Sequence, residues 1–252
     1  MIHVLINGCN GRMGQEVAKV VQNQEDMTVL AGFDRTETDY MSYHVYTKLE
    51  DLPASEIDVI IDFSVPEATF HLLSYAKEHH IPMVIATTGF TEEERNTIHK
   101  IAKDLPIFQS ANMSFDINLM GKIVAELAKH LSDTDIEIIE SHHNQKIDAP
   151  SGTAIQLADK INDVLPEKCD YVFDRHSKRE KRGKREIGFS SIRGGNIVGT
   201  HTVQFIGANE TFEVTHTSYS RTVFAEGAVK AARFLTNMPN GFYDMNDLIQ
   251  KN

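Results

Sequence analysis

Ile2-His3-Val4-Leu5-Ile6-Asn7-Gly8-Cys9-Asn10-Gly11-Arg12-Met13-Gly14 is the stretch that sets the architecture. An apolar run over Ile2–Ile6 predicts a buried strand, and Met13, Val17, Val20 and Val21 fall on one side of a helix over Arg12–Gln22. Between them, Gly8, Gly11 and Gly14 make a GxxGxxG turn. Glycine lets such a turn close and lets backbone amides approach a pyrophosphate, which the helix N-terminus then stabilises. The spacing departs from GxGxxG: Asn10 stands where a middle glycine is often found, and asparagine tolerates a left-handed backbone. A second strand over Thr28–Phe33 ends at Asp34, twenty residues beyond Gly14, where a carboxylate reaches ribose hydroxyls. Strand, glycine turn, helix and acid together predict dinucleotide binding over a purely structural turn. Asp34 favours NADH, whereas the adjacent Arg35 suits the 2′-phosphate of NADPH. The pair fits either cofactor, and Arg35 alone reads equally well as a solvated loop charge.

Working outward, strands over Asp58–Phe63, Met83–Thr87 and Ile107–Gln109 alternate with helices. Ser64-Val65-Pro66-Glu67 reads as a helix start, with Ser64 as the cap, Glu67 answering it and Pro66 in the first turn. Thr91-Glu92-Glu93-Glu94 repeats the pattern of cap plus acidic first turn. Short buried strands separated by helices require parallel crossovers, and the right-handed rule then favours a doubly wound sheet. Beyond Ser114 the order changes to a helix over Phe115–Leu131, a strand over Ile136–Glu140 and a helix over Thr153–Leu165. Segments Ile187–Arg193, Ile197–Phe205 and Thr211–Thr217, joined at Gly194-Gly195 and Gly207-Ala208-Asn209, predict an antiparallel meander. A helix over Val223–Leu235 follows. The fold class is therefore α/β: an N-terminal Rossmann-type doubly wound parallel sheet, then an α+β domain with an open mixed sheet.

The chain has 252 residues and a formal net charge of −11, which counts against a general nucleic-acid or anionic-membrane binder. Its acidity is uneven. Arg175–Glu186 (RHSKREKRGKRE) carries seven Lys or Arg against two Glu, a local +5. This island reads as a mobile solvated loop, or as a guide for anionic ligands near the active site; it lacks the aromatic residues that stack on bases. Cys9 and Cys169 lie far apart without CxxC spacing, which points to a reducing compartment. The N-terminus lacks the basic start and apolar stretch of a signal peptide, and no apolar run approaches a membrane span. A soluble cytoplasmic protein is expected.

The second informative segment is Glu140-Ser141-His142-His143-Asn144-Gln145-Lys146-Ile147-Asp148-Ala149-Pro150-Ser151-Gly152-Thr153. Two histidines and a lysine leave a strand end together, and a Ser-Gly-Thr helix start offers its amides to a carboxylate. Histidine shuttles protons near neutrality, and lysine donates a proton or binds an anion. No metal is expected, because adjacent strand residues face opposite ways and the spacing matches no zinc motif. A solvated loop whose histidines cap backbone groups is the competing structural reading. The remaining ten histidines, His201 and His216 among them, read as surface or satisfied core residues.

At these two motifs the sequence resembles the 4-hydroxy-tetrahydrodipicolinate reductase family of the diaminopimelate route to lysine. The likeness extends through IDFSVPE at 61–67, TTGF at 87–90, SANMS at 110–114 and GFSSIRGGNIVGTHTVQF at 188–205, covering essentially the whole chain. The resemblance implies a dinucleotide-binding domain of residues 1–113 with 221–252, and a substrate-binding and tetramerisation domain of 114–220. It assigns Gly8, Cys9, Asn10, Gly11, Arg12 and Met13 to the pyrophosphate and Asp34 and Arg35 to the adenosine ribose. Ala86, Thr87, Thr88, Ser110, Ala111, Asn112 and Met113 lie by the nicotinamide; Ala86 replaces a frequent glycine. His142 is implied as acid/base and Lys146 as proton donor, with His143, Gly152 and Thr153 on a substrate carboxylate. NADH or NADPH, a dicarboxylate substrate, no nucleic-acid or membrane partner and a homotetramer complete the implied picture. Another imine or amino-acid oxidoreductase on the same scaffold and a non-catalytic dinucleotide sensor are the alternatives.

Overall fold

A computed structural model of the chain describes residues 1–251 apart from Tyr40 and Lys178. Two compact units emerge, one of residues 1–115 with 222–252 and one of 116–221.

The first unit opens with β1 (Ile2–Asn7), α1 (Arg12–Gln22), β2 (Met27–Phe33), β3 (His44–Tyr46) and β4 (Val59–Asp62). It continues with α2 (Pro66–His79), β5 (Met83–Ile85), α3 (Glu92–Ile101) and β6 (Pro106–Gln109). After the second unit the chain returns to it as α6 (Thr222–Leu235), β12 (Gly241–Tyr243) and α7 (Met245–Lys251). Seven strands pair in the order β12-β6-β5-β4-β1-β2-β3, all parallel. Strand alternation sends Val4, Ile6, Val59 and Ile61 to one face, under α1 and α6, and Leu5 and Ile60 to the other, under α2 and α3. Succession runs outward from β1 toward β3 and from β4 toward β12, so a crevice forms at the carboxyl ends of β1 and β4. Strands β3 and β12 are absent from the sequence reading because three residues carry no period.

Thr91 caps α3 in a complete capping box with Glu94, as its sequence predicts. The expected Ser64 cap does not form. Val65 occupies the N-cap of α2, and Ser64 Oγ donates instead to the buried Asp62 carboxyl at 2.6 Å. A carboxyl without access to water takes the hydroxyl as one of the hydrogen-bond donors that its burial demands.

The second unit contains α4 (Phe115–His130, entering from the first unit), β7 (Asp135–His142), α5 (Gly152–Val164), β8 (Asp170–Val172), β9 (Glu186–Arg193), β10 (Gly199–Ile206) and β11 (Thr211–Ser218). Its sheet order is β11-β10-β7-β9-β8, and α4 and α5 contribute Val124, Leu157 and Ile161 to the core on one face. The sheet is mixed, as expected, but the antiparallel meander is not its topology. Only β10 and β11 form a hairpin; β7 lies between β9 and β10, parallel to the first and antiparallel to the second. The Gly194-Gly195 segment wraps the end of β7, with Gly194 N donating to His142 O and Asn144 N donating to Gly195 O. Local turn signals cannot reveal a strand from earlier in the chain inserting between two consecutive ones.

Arg175–Glu186 also differs from a wholly solvated loop. Arg182 donates to Asp135, Glu137, Ile136 O and Glu186 O, and Arg175 pairs with Glu137 and Glu186. Two of the island's cations thus clamp the ends of β7 and β9; Lys178 lies outside the described residues.

Candidate active site

The first unit carries a cleft of about 1060 Å³ at the carboxyl ends of β1, β2 and β4, lined by Gly8, Asn10, Gly11, Asp34, Arg35 and Ser64 among others. Gly8 has φ +74°, and a Cβ there would lie 2.5 Å from the Phe63 carbonyl oxygen. A Cβ on Gly14 would lie 2.3 Å from Gly8 O, so only glycine lets α1 start this close to the turn. Asn10 needs no left-handed backbone, because Gly8 provides the positive φ. The Asn10 side chain instead donates to Thr36 O and accepts from Thr38 Oγ1, tying the turn to the loop after β2. No side chain caps α1 and no acid lies in its first turn, which leaves its first amides available to an anion.

Asp34 accepts from Asn10 N at 2.9 Å and from Arg35 N at 2.8 Å at the cleft edge. Arg35 is exposed beside it. Cys9 is fully buried, and burial, then the Asp34 charge, pushes its thiol up to about 12. It therefore offers a ligand only its backbone. This cradle fits a dinucleotide: close-packed glycines, uncapped helix amides and an acid beside a base at the end of β2.

Beneath it lies a carboxyl that sequence reasoning missed. Asp62, at the end of β4, is fully buried and accepts from Asn7 Nδ2, Ser64 Oγ, Thr69 Oγ1 and Thr87 Oγ1. Burial raises its pKa against these four opposing donors. The bracket ties the loop after β4 to Thr87, whose Oγ1 also accepts from Ser64 N. Thr87 and Ala86 are accordingly buried, while Thr88 is exposed. The 110–113 segment is held by Ser110 Oγ donating to Asn112 O, and Met113 is buried while Ala111 is exposed. An acid closing an otherwise apolar strand was the available signal.

A second cluster, within the second unit, grows from the pleat of β7. Ile136, Ile138, Glu140 and His142 share its buried face, so the core stripe turns polar at the strand's end. Glu140, 1% exposed, accepts from His142 Nδ1 at 2.5 Å, from both terminal nitrogens of Arg193 at 2.7–2.8 Å and from Ser151 N at 3.2 Å. Burial alone would raise its pKa; hydrogen bonds from Arg193, Ser191 and His142 outweigh that and hold it at about 2. Burial lowers the His142 pKa below the usual imidazole value, against the opposing pull of Glu140.

Lys146 Nζ pairs with Asp148 Oδ1 at 2.8 Å, and Arg193 Nη2 also donates to Asp148 O. Ser151 caps α5, its Oγ accepting from Ala154 N and lying 2.9 Å from His201 Nε2. His142, Lys146 and the α5 start that contains Gly152 and Thr153 are thus joined through Glu140 and Arg193. Among the described residues, His143 contributes its carbonyl, which accepts from Lys146 N. Among the described residues, no group of three or more His, Cys, Asp or Glu is arranged to hold a metal ion.

Two family models match this chain: "Dihydrodipicolinate reductase, N-terminus" over residues 2–113 and "Dihydrodipicolinate reductase, C-terminus" over 116–249. The chain belongs to the dihydrodipicolinate reductase family. It is 49% identical to a 4-hydroxy-tetrahydrodipicolinate reductase of Caldanaerobacter subterraneus, covering 100% of this chain and 99% of that one. A reductase of the same name from Clostridium tetani is 44% identical over 99% of this chain and 97% of its own. A dipicolinate-bound dihydrodipicolinate reductase from Paenisporosarcina sp. TG-14 superposes with a TM-score of 0.83 at 28% identity, covering 98% of this chain and 99% of that one. A DAP dehydrogenase of C. glutamicum, 17% identical with a TM-score of 0.59, shares the fold.

Within this family member, Glu140, Arg193 and His201 join Asp62 as residues of the two clusters that sequence reasoning passed over. Glu140 was legible from the period-two face it shares with His142; Arg193 and His201 come from strands whose pairing only the fold reveals. His201 is 4% exposed, its ring 5.1 Å from that of His142, and burial, then the His142 charge, lowers its pKa to about 4. Its unfolded value is near 6.5, so on acidification the unfolded chain takes up this proton first. The stability contributed by neutral His201 is full above pH 6.5 and is lost as pH falls toward 4, reaching about 3 kcal/mol. Calorimetric Tm against pH should therefore fall across this window, and more shallowly in His201→Gln; parallel curves would refute the assignment.

Proposed function

We propose that this chain reduces 4-hydroxy-tetrahydrodipicolinate to tetrahydrodipicolinate with NADH or NADPH, with loss of the C4 hydroxyl as water, on the diaminopimelate route to lysine. The observation that carries the reading is the linkage of His142, Lys146 and the α5 N-terminus around one end of β7, in a member of this reductase family. Gly8 through Met13 hold the pyrophosphate, Asp34 and Arg35 the adenosine ribose, and Ala86–Thr88 with Ser110–Met113 flank the nicotinamide. Bound there, the reduced nicotinamide supplies a hydride. His142 is the acid/base, and Lys146 delivers the proton required as electron density builds on the acceptor ring. His143, Gly152 and Thr153 grip a carboxylate, aided by the positive end of α5.

The protein works in the cytoplasm as a homotetramer assembled through the open face of the second unit's sheet. Polar pairs Thr200–Thr217, Thr202–Thr215 and Gln204–Glu213 line that face, and β11 presents an open edge, a feature proteins ordinarily cover. Sedimentation at four times the 28.3 kDa chain mass checks the assembly; a monomer contradicts it. Among the described residues no helix is long and apolar enough to cross a membrane.

Steady-state kinetics test the reaction. With substrate made in situ by a synthase from pyruvate and aspartate semialdehyde, both NADH and NADPH should be oxidised, and Arg35→Ala should raise KM for NADPH more than for NADH. Absence of turnover with either cofactor rules the reading out, and turnover only with another imine or amino acid transfers it to that oxidoreductase.

A further inference from the structure

We propose that Glu140 is the positioning residue of the second unit's site, fixing the proton-bearing nitrogen of His142 and, through the same carboxylate, seating the start of α5. The inference rests on the reading of His142 as the acid/base, and it adds a residue that itself touches neither ligand.

A carboxylate held ionised can only accept hydrogen bonds, so the 2.5 Å contact requires His142 Nδ1 to carry the hydrogen. Neutral His142 is then the Nδ1–H tautomer, and Nε2 is the nitrogen left to take or give a proton. The ring lies where a Cβ on Gly199 would be 3.0 Å from Nε2, so neighbouring backbone limits its tilt as well.

Glu140 is in turn over-determined. Arg193 grips both of its oxygens, a bidentate geometry that fixes orientation as well as charge. Its Oε1 also accepts from Ser151 N, the residue that caps α5. Arg193 Nη2 continues to Asp148 O, and Asp148 holds Lys146. One buried acid therefore fixes the His142 tautomer, the anion-binding helix start and, one step removed, the loop of the proton donor.

The charged and titratable groups around His142 are Glu140 on β7, Arg193 on β9, Lys146 on the following loop and His201 on β10, with His216 beyond it on β11. Glu140 is the anion that touches the ring, and Asp148 lies one step away on Lys146. Replacing Glu140 with a neutral amide leaves burial and the cations unopposed at the ring, so the imidazolium becomes harder to form. An amide N–H facing the ring would also favour the opposite tautomer.

The test uses nitrogen-15 NMR of histidine-labelled, ligand-free protein, with the His142 signals assigned by their loss in His142→Gln. Wild-type protein should show Nδ1–H; an Nε2–H tautomer there overturns the proposal without any variant. In Glu140→Gln the tautomer should switch and the His142 titration midpoint should move down. kcat should fall by about a hundredfold or more, with little change in the cofactor KM, and Glu140→Asp should recover part of both effects. A folded Glu140→Gln with unchanged tautomer, midpoint and kcat sinks the inference. Wild-type protein that shows Nδ1–H yet fails to turn over substrate sinks the functional reading instead.

Discussion

Lys146→Ala lowers kcat by about 10²–10⁴-fold while cofactor affinity stays near wild type. The magnitude follows from the chemistry: reduction of a cyclic imine leaves an electron pair that must meet a proton, and a positioned donor is worth that factor. The ammonium is well prepared for the task. Its side chain is only 22% exposed and is oriented by Asp148 at 2.8 Å, while its backbone N–H donates to His143 O at the strand end. The cofactor cleft is built entirely from the first unit, so removing a side chain of the second leaves its lining untouched. Lys146→Arg sharpens the test. Guanidinium keeps the charge but does not release a proton in this pH range, so substrate KM should recover while kcat remains low. Fluorescence titration of NADH against each variant supplies the affinity. A variant that loses cofactor binding while retaining kcat contradicts the role of Lys146.

Gly227→Ala produces the largest loss of stability expected from a single methyl group in this chain. Alanine is intrinsically the better helix former by about 1 kcal/mol, so a solvent-facing glycine in α6 would gain from the change. Here the added Cβ would lie 1.6 Å from the Met113 carbonyl oxygen, and something must move. The helix cannot withdraw cheaply, because Ala225, Ala228, Ala231 and Ala232 are buried in the same core beneath the parallel sheet. Nor can the opposing chain yield easily: Met113 is 2% exposed, and Ser114 N beside it donates to Asn112 Oδ1. Overpacking against backbone falls at the upper end of its usual range, about 3 kcal/mol, a Tm decrease of about 6–12 °C. Because Met113 flanks the proposed nicotinamide position, dinucleotide affinity should weaken in the same variant. Calorimetry decides the matter, and an unchanged or raised Tm would falsify this account of the α6 contact.

Much of the candidate site was legible because its residues are close together in the chain. Gly8 to Gly14 is a single turn, and the run from His142 to Thr153 spans one strand end, one loop and one helix start. The basic island shows the limit of such reading. Composition gave Arg175–Glu186 a local +5, yet Arg175 and Arg182 are spent on Asp135, Glu137 and Glu186, acids that belong to β7 and β9. Cations paired in this way hold strand ends together. For the proposed anionic ligands, the uncapped start of α1, the α5 N-terminus and Lys146 are the local sources of attraction.

By itself the sequence determined the alternation of strands and helices, the glycine turn with its acid and base, and the placing of His142 and Lys146 at one strand end. Each is set by neighbours within about ten residues, where periodicity, turn geometry and capping act. Tertiary structure alone decided that β7 lies between β9 and β10, which brings Arg193 to Glu140 and His201 to Ser151 across 53 and 50 residues of chain. It alone turned Ser64 from a helix cap into a ligand of the buried Asp62 carboxyl. The physical reason is the same in both cases. A buried polar group takes the hydrogen-bond partners that the packed chain brings to it, and packing rather than local sequence decides which those are.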